Sequence, residues 1–160
     1  MIVNPQTKTD KLAYILNDCT ATALIAESHL QREFLPAIAA APSLQGVLVV
    51  GQLPDNPDCR LHDFSQAPAR PTAEDIGARN ITLDLCSLIY TSGSTGEPKG
   101  VMHTHQSMLF ALHSLVEYQR LDETDRLLCV LPLAFDYGLY QKYSRRRLFT
   151  VCMALPNASA

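Results

Sequence analysis

Residues 85–105 read LCSLIYTSGSTGEPKGVMHTH. The first six, LCSLIY, form a short apolar run with aromatic and β-branched members, which predicts a strand rather than a helix. The next ten are polar, rich in glycine and hydroxyl side chains, and break regular structure. Residues 101–104 (VMHT) predict a second short strand, and a helix follows over about residues 105–118, where Leu109, Leu112 and Val116 fall at helical spacing and imply packing against a sheet.

Outward from this stretch, strands and helices alternate. Leu12, Ile15, Leu16 and Cys19 recur at helical spacing over residues 9–19, with Asp10 and Lys11 facing outward. Residues 22–26 (TALIA) read as a buried strand. Ser28 is placed to N-cap a helix running to residue 40, in which Pro36 is a point of kinking. Residues 46–51 (GVLVVG) are a β-branched run bounded by glycines, hence a further buried strand. Pro54, Pro57, Pro68 and Pro71 punctuate residues 52–80, predicting an irregular surface connection with at most a helical turn or two. Residues 126–131 (RLLCVL) read as one more buried strand. The fold class implied is α/β, with helices packed on a largely parallel sheet.

Composition narrows the function classes. The chain has 160 residues, 47% apolar and 18% charged, as expected of a packed globular domain. Its formal net charge is −3, which gives no basic surface for nucleic acid or an anionic membrane. Five cysteines occur without a CxxC spacing, so buried free thiols in a reducing compartment are expected rather than disulfides or a zinc cluster. The first residues, MIVNPQTKTD, lack an apolar signal core. No apolar stretch approaches the roughly 20 residues of a membrane helix. A cytoplasmic location is the expectation.

The chemistry sits in the loop. Successive backbone N–H groups in a glycine-bearing turn can converge into an anion-binding nest. Thr91, Ser92, Ser94 and Thr95 add hydroxyl donors, and Lys99 adds a positive charge able to reach a phosphate. A solvated turn between two strands has the same composition. A Walker loop is excluded, because that pattern runs G-x-x-x-x-G-K and then Ser or Thr. Here Gly96 is followed by Glu97 and Pro98 before the lysine.

Residues 88–105, LIYTSGSTGEPKGVMHTH, resemble over eighteen contiguous positions the signature loop of the adenylate-forming (AMP-binding) superfamily. That superfamily includes the acyl-CoA synthetases, the adenylation domains of nonribosomal peptide synthetases, and luciferases. Two weaker matches stand in the same order: VNPQTKTDKLAYILNDCTATALI before the loop and LPLAFDYGLYQ after it, so that the resemblance covers about residues 3–141. It implies that Thr91, Ser92, Gly93, Ser94, Thr95, Gly96 and Lys99 hold the β- and γ-phosphates of ATP, with Mg2+ as the accompanying ion. A carboxylic acid would attack the α-phosphorus to give an acyl-adenylate and pyrophosphate. A CoA or carrier-protein thiol would then accept the acyl group. Preorganised donors and one cation would stabilise charge moving onto the leaving pyrophosphate.

Asp136, in Phe135-Asp136-Tyr137-Gly138, fits the first half of a pattern by which amino-acid-activating members pair a substrate ammonium group. It equally suits a turn that accepts backbone hydrogen bonds. His103 and His105 lie two apart, so that on a strand they would share a face. No third ligand stands at a suitable spacing, and no metal site is expected.

The resemblance also implies parts that these residues do not contain, among them a magnesium-binding glutamate, a ribose-binding aspartate and the lysine of a small C-terminal domain. No catalytic residue is therefore assigned. Three readings stay open: a fragment of an acid–thiol ligase of the acyl-CoA synthetase kind, a fragment of an amino-acid adenylation domain, and a non-catalytic remnant that holds ATP or phosphate weakly. The expected organisation is a partial AMP-binding domain over residues 1–141 and an atypical tail over residues 142–160, whose KYSRRRLFTVCMALPNASA has no helical apolar face. The tail suggests a shift of reading frame near codon 141. Sequencing the gene and its flanks tests this: a helix-and-strand continuation in another frame is expected, and its absence would refute the shift.

Overall fold

The computed structural model describes residues 1–67, 79–92, 96–122, 125–129 and 150–153. The chain divides into two units, one of residues 5–79 with 92–99, the other of residues 1–4, 80–91 and 100–160.

The first unit holds helix α1 (Thr9–Asp18), strand β1 (Ala23–Glu27), helix α2 (Gln31–Ala39), strand β2 (Gly46–Val50) and strand β3 (Leu61–Asp63). The strands form a sheet in the order β1-β2-β3. Both pairings are parallel, with Ile25 opposite Leu48 and Leu48 opposite His62. Parallel neighbours cannot be joined by a tight turn, and α2 supplies the crossover from β1 to β2. The buried core gathers Leu12, Ile15 and Leu16 from α1, Phe34, Ala37 and Ile38 from α2, and Val47 and Val49 from β2. Val47 and Val49 are two apart and so share a face of the strand.

Two polar clusters brace these elements. Glu33 of α2 accepts from the Thr9 backbone N–H at 2.9 Å, from the Thr9 hydroxyl at 2.8 Å and from Lys8 Nζ at 3.0 Å. The N-cap residue of α1, Lys8, makes no side-chain cap. Glu33 thus reaches from the neighbouring helix to satisfy an orphan donor of α1. The Lys8 and Thr9 hydrogen bonds hold its carboxyl below the ordinary glutamate value.

At the other end of α2, Arg60 Nη2 donates to the Ile38 carbonyl at 3.1 Å, and Nη1 donates to those of Ala41 and Leu44 at 3.3 and 3.4 Å. The Asp58 carboxylate grips the same guanidinium, with Nη2 at 2.6 Å and Nε at 2.9 Å. The Arg60 hydrogen bonds lower Asp58 to about 2. A fork of this shape matches carboxylate and carbonyls together, as an ammonium cannot.

The second unit holds strand β4 (Leu85–Ser92), strand β5 (Pro98–Thr104), helix α3 (His105–Gln119), strand β6 (Arg126–Cys129) and strand β7 (Thr150–Met153). The ends of β4 and β5 overlap the first unit at residues 92 and 98–99. β4 pairs with β5, and β6 pairs in parallel with β7. Thr104 caps α3, its hydroxyl accepting from the Ser107 N–H at 3.1 Å. Two more early donors of α3 find carbonyls in the turn before β4: His105 N–H reaches Asp84 at 3.2 Å and Gln106 N–H reaches Thr82 at 2.8 Å.

Several expectations from the sequence need correction. Ser28 is no N-cap: Ser28–Leu30 is a 3-10 turn without a side-chain cap. Its hydroxyl lies instead beside Gly51, where a Cβ would stand 2.6 Å from Ser28 Oγ. β1 is half open rather than buried, with Ile25 62% exposed. Residues 52–80 contain β3, too short to announce itself by pattern. No side chain of α3 is buried, and Leu109 and Phe110 are exposed. Cys59 and Cys86 are exposed free thiols, and Cys19 is half-buried.

Two outcomes follow from the braces. A glutamate with a lowered folded-state pKa contributes stability above its unfolded value and loses it as pH falls through the folded value. Thermal melts of wild type and Glu33→Gln should therefore differ at neutral pH and converge on acidification below the ordinary glutamate range. Replacing Arg60 by Met removes a charged donor from the Ile38, Ala41 and Leu44 carbonyls and should cost about 1–3 kcal/mol in urea denaturation, with Arg60→Lys recovering little.

Candidate functional site

The glycine- and hydroxyl-rich segment joins β4 to β5. So short a connection between paired strands makes a hairpin, since parallel neighbours would need a long crossover. β4 extends two residues beyond the expected strand, carrying Thr91 and Ser92 at its end, and β5 starts early, at Pro98. The loop is thereby narrower than its composition suggests. Gly93, Ser94, Thr95 and Asp136 lie outside the described residues.

Gly96 has φ of +95°, in the left-handed region that residues with a Cβ rarely enter. Among the described residues, no atom lies within 4 Å of where its Cβ would stand, and it is the conformation that favours glycine there. Thr91, Glu97 and Lys99 are all exposed. Among the described residues, Lys99 has no ion pair. Glu97 also acts on α1: the Tyr14 phenol is pushed up first by burial, then by Asp18 and by Glu97.

Gly100 answers a different demand. A Cβ there would meet the Tyr90 ring at 3.0 Å. Tyr90 and Gly100 therefore share one face of the paired strands, and alternation turns Thr91 and Lys99 to the other. Neither residue is assigned a role by pattern alone; the available signal is an aromatic before and a glycine after the hydroxyl-rich segment.

Of the sequence-predicted set, the structure brings Thr91, Ser92, Gly96 and Lys99 onto one hairpin. An exposed ammonium, hydroxyl side chains and a glycine turn can together receive a polyphosphate. His103 lies on β5 while His105 is the first residue of α3, so strand alternation does not pair them. Among the described residues no group of three or more His, Cys, Asp or Glu is placed to hold a metal ion. Nor, among them, is any helix long and apolar enough to cross a membrane.

The family model of AMP-binding enzymes matches residues 1–144. The anthranilate–CoA ligase of Pseudomonas aeruginosa is 36% identical over 145 residues, which cover 86% of this chain and 26% of that protein. Indigoidine synthase of Dickeya dadantii is 31% identical over 139 residues, covering 87% of this chain and 9% of that protein. The crystal structure of an anthranilate CoA ligase in complex with anthranoyl-AMP superposes with a TM-score of 0.77 at 27% identity, covering 98% of this chain and 30% of that one. The chain thus spans under a third of each of these relatives. Its α/β fold, its glycine-turned hairpin and the match over nine-tenths of its length have one common meaning: the chain belongs to the AMP-binding enzyme family.

Proposed function

We propose that the hairpin segment of residues 91–99 holds the β- and γ-phosphates of ATP while a carboxylic acid is converted to its acyl-adenylate. The observation that carries this reading is Gly96 in a left-handed turn followed by an exposed Lys99, on a chain of the AMP-binding enzyme family. Thr91, Ser92, Ser94 and Thr95 would donate hydroxyl hydrogen bonds, and Gly93 and Gly96 would let backbone N–H groups face the phosphates. Lys99 would supply the fixed charge. As the acid's carboxylate attacks the α-phosphorus, negative charge grows on the departing pyrophosphate, and donors already aimed there stabilise it without reorganisation. Mg2+ would ride on the phosphate oxygens of the bound nucleotide.

The similarity to an anthranilate–CoA ligase favours an acid–thiol ligase, with an aromatic acid as substrate and CoA as acceptor. Peptide synthases at 30–31% identity favour a second reading, in which an amino acid is activated for a carrier-protein thiol. In either, Asp136 would face the substrate and pair with an amino group.

Calorimetric titration of the 160-residue chain with ATP tests the first step. Binding is expected, and Lys99→Ala should weaken it about 10- to 100-fold, the worth of a charge-assisted contact. Unchanged affinity in that variant would remove Lys99 from the site. Carboxylate-dependent exchange of pyrophosphate into ATP, measured with anthranilate, benzoate and amino acids, then separates catalysis from holding. Exchange would place the adenylation chemistry within these residues. ATP binding without exchange would confine them to the phosphate-holding part.

A further inference from the structure

Tyr90 lies two residues before the end of β4, and Gly100 lies two residues after the start of β5. These two residues meet across the strands. An ideal Cβ on Gly100 would lie 3.0 Å from the ring carbon Cζ of Tyr90, 3.2 Å from its hydroxyl oxygen and 3.3 Å from Cε1. All three distances are below ordinary van der Waals contact, so the ring occupies the space that the missing side chain vacates. Gly100 has no positive φ to explain its identity, unlike Gly51 and Gly96. Its requirement is spatial, set by the tyrosine.

We propose that Tyr90 and Gly100 are positioning residues of the phosphate-holding loop: the ring seated on the glycine fixes the stem from which Thr91 and Lys99 project. The inference rests on the phosphate reading for its functional consequence, but not for its structural content. A glycine in a strand weakens it, because there is no side chain to pack and more backbone entropy to lose. An aromatic ring laid across such a glycine restores cross-strand contact. The strand ends are otherwise poorly anchored, since Thr91, Glu97 and Lys99 are all exposed. A methyl group at position 100 asks the ring or β5 to give by a few tenths of an ångström. Displacing β5 carries Lys99 with it, one residue away. Alternation keeps the ring off the face that bears Thr91 and Lys99, so Tyr90 acts through the stem and needs no contact with the nucleotide.

A double-mutant cycle tests the pair, using the chain as it stands with Gly100→Ala, Tyr90→Ala, both together, and Tyr90→Phe. Two readouts are followed, ATP affinity by calorimetry and amide hydrogen exchange of residues 90–92 and 98–100 in the ligand-free protein. Gly100→Ala should weaken ATP binding about three- to tenfold and speed exchange of the stem, and neither effect should recur when Tyr90 is already Ala. Tyr90→Phe keeps the ring on the glycine and should disturb affinity and stem exchange less than Tyr90→Ala. Equal effects of Gly100→Ala in both backgrounds would overturn the proposal, as would a Tyr90→Ala chain with unchanged stem exchange. The latter holds even where the alanine at 100 prevents folding. If the wild-type chain does not bind ATP, the phosphate reading falls, and the exchange cycle alone decides whether the ring and the glycine fix the stem.

Discussion

Strand β2 is the constraint on which the first unit turns. It is bonded in parallel on both sides, to β1 and to β3, and it contributes Val47 and Val49 to the sealed interior. Parallel pairing fixes what must surround it. The chain has to travel back along the sheet between β1 and β2, and the crossover that does so must cover an apolar face. α2 meets both demands through Phe34, Ala37 and Ile38. The polar braces then sit where that crossover is weakest, at its ends. Glu33, near the start, ties it to α1, and Arg60, beside β3, closes the carbonyls at its end. Burial supplies the drive for this arrangement, while the carboxylate and the guanidinium fix where each helix starts or stops.

The hairpin obeys a different rule. Here the backbone must turn sharply and stay open to solvent, so little apolar area is available to hold it. Its identity rests on two glycines that do unlike things. Gly96 is required by the sign of its φ, with free space around it. Gly100, with an ordinary backbone, lies tight against a neighbouring ring. The hairpin thus has a conformational glycine at one point and a glycine packed against a ring at the other.

Much of this was legible in the residues. Leu12, Ile15 and Leu16 at helical spacing were enough to announce α1, and the same three are buried in it. The glycine-bounded run of β-branched residues announced β2. β3 escaped notice because Leu61 is the sole apolar member of a three-residue strand. It forms because β2 presents an open edge, and Val47 N–H reaches the Arg60 carbonyl at 2.8 Å just before it. β7 is a similar case, four residues paired to β6 within a tail whose pattern suggested no element. The periodic residues of α3 are unevenly covered, since periodicity says which residues share a face and not what covers it: Leu109 is exposed, while Leu112 and Val116 are half-buried. At the site, loop chemistry was readable from hydroxyls, glycines and a lysine, whereas the contact of Tyr90 with Gly100 spans ten residues of sequence and only the strand pairing reveals it.

The first unit has one property that concerns time rather than energy. All but eight of its residues form a single run, 5–79, and that run contains the whole three-stranded sheet and both its helices. On a ribosome adding about 5–20 residues per second, this sheet can close before the hairpin has been synthesised. Residues 85–104, with the hairpin, would then be synthesised after that sheet has closed. Errors or changes in the loop arrive too late to misdirect that sheet, so this segment is free to vary without putting the earliest folding step at risk.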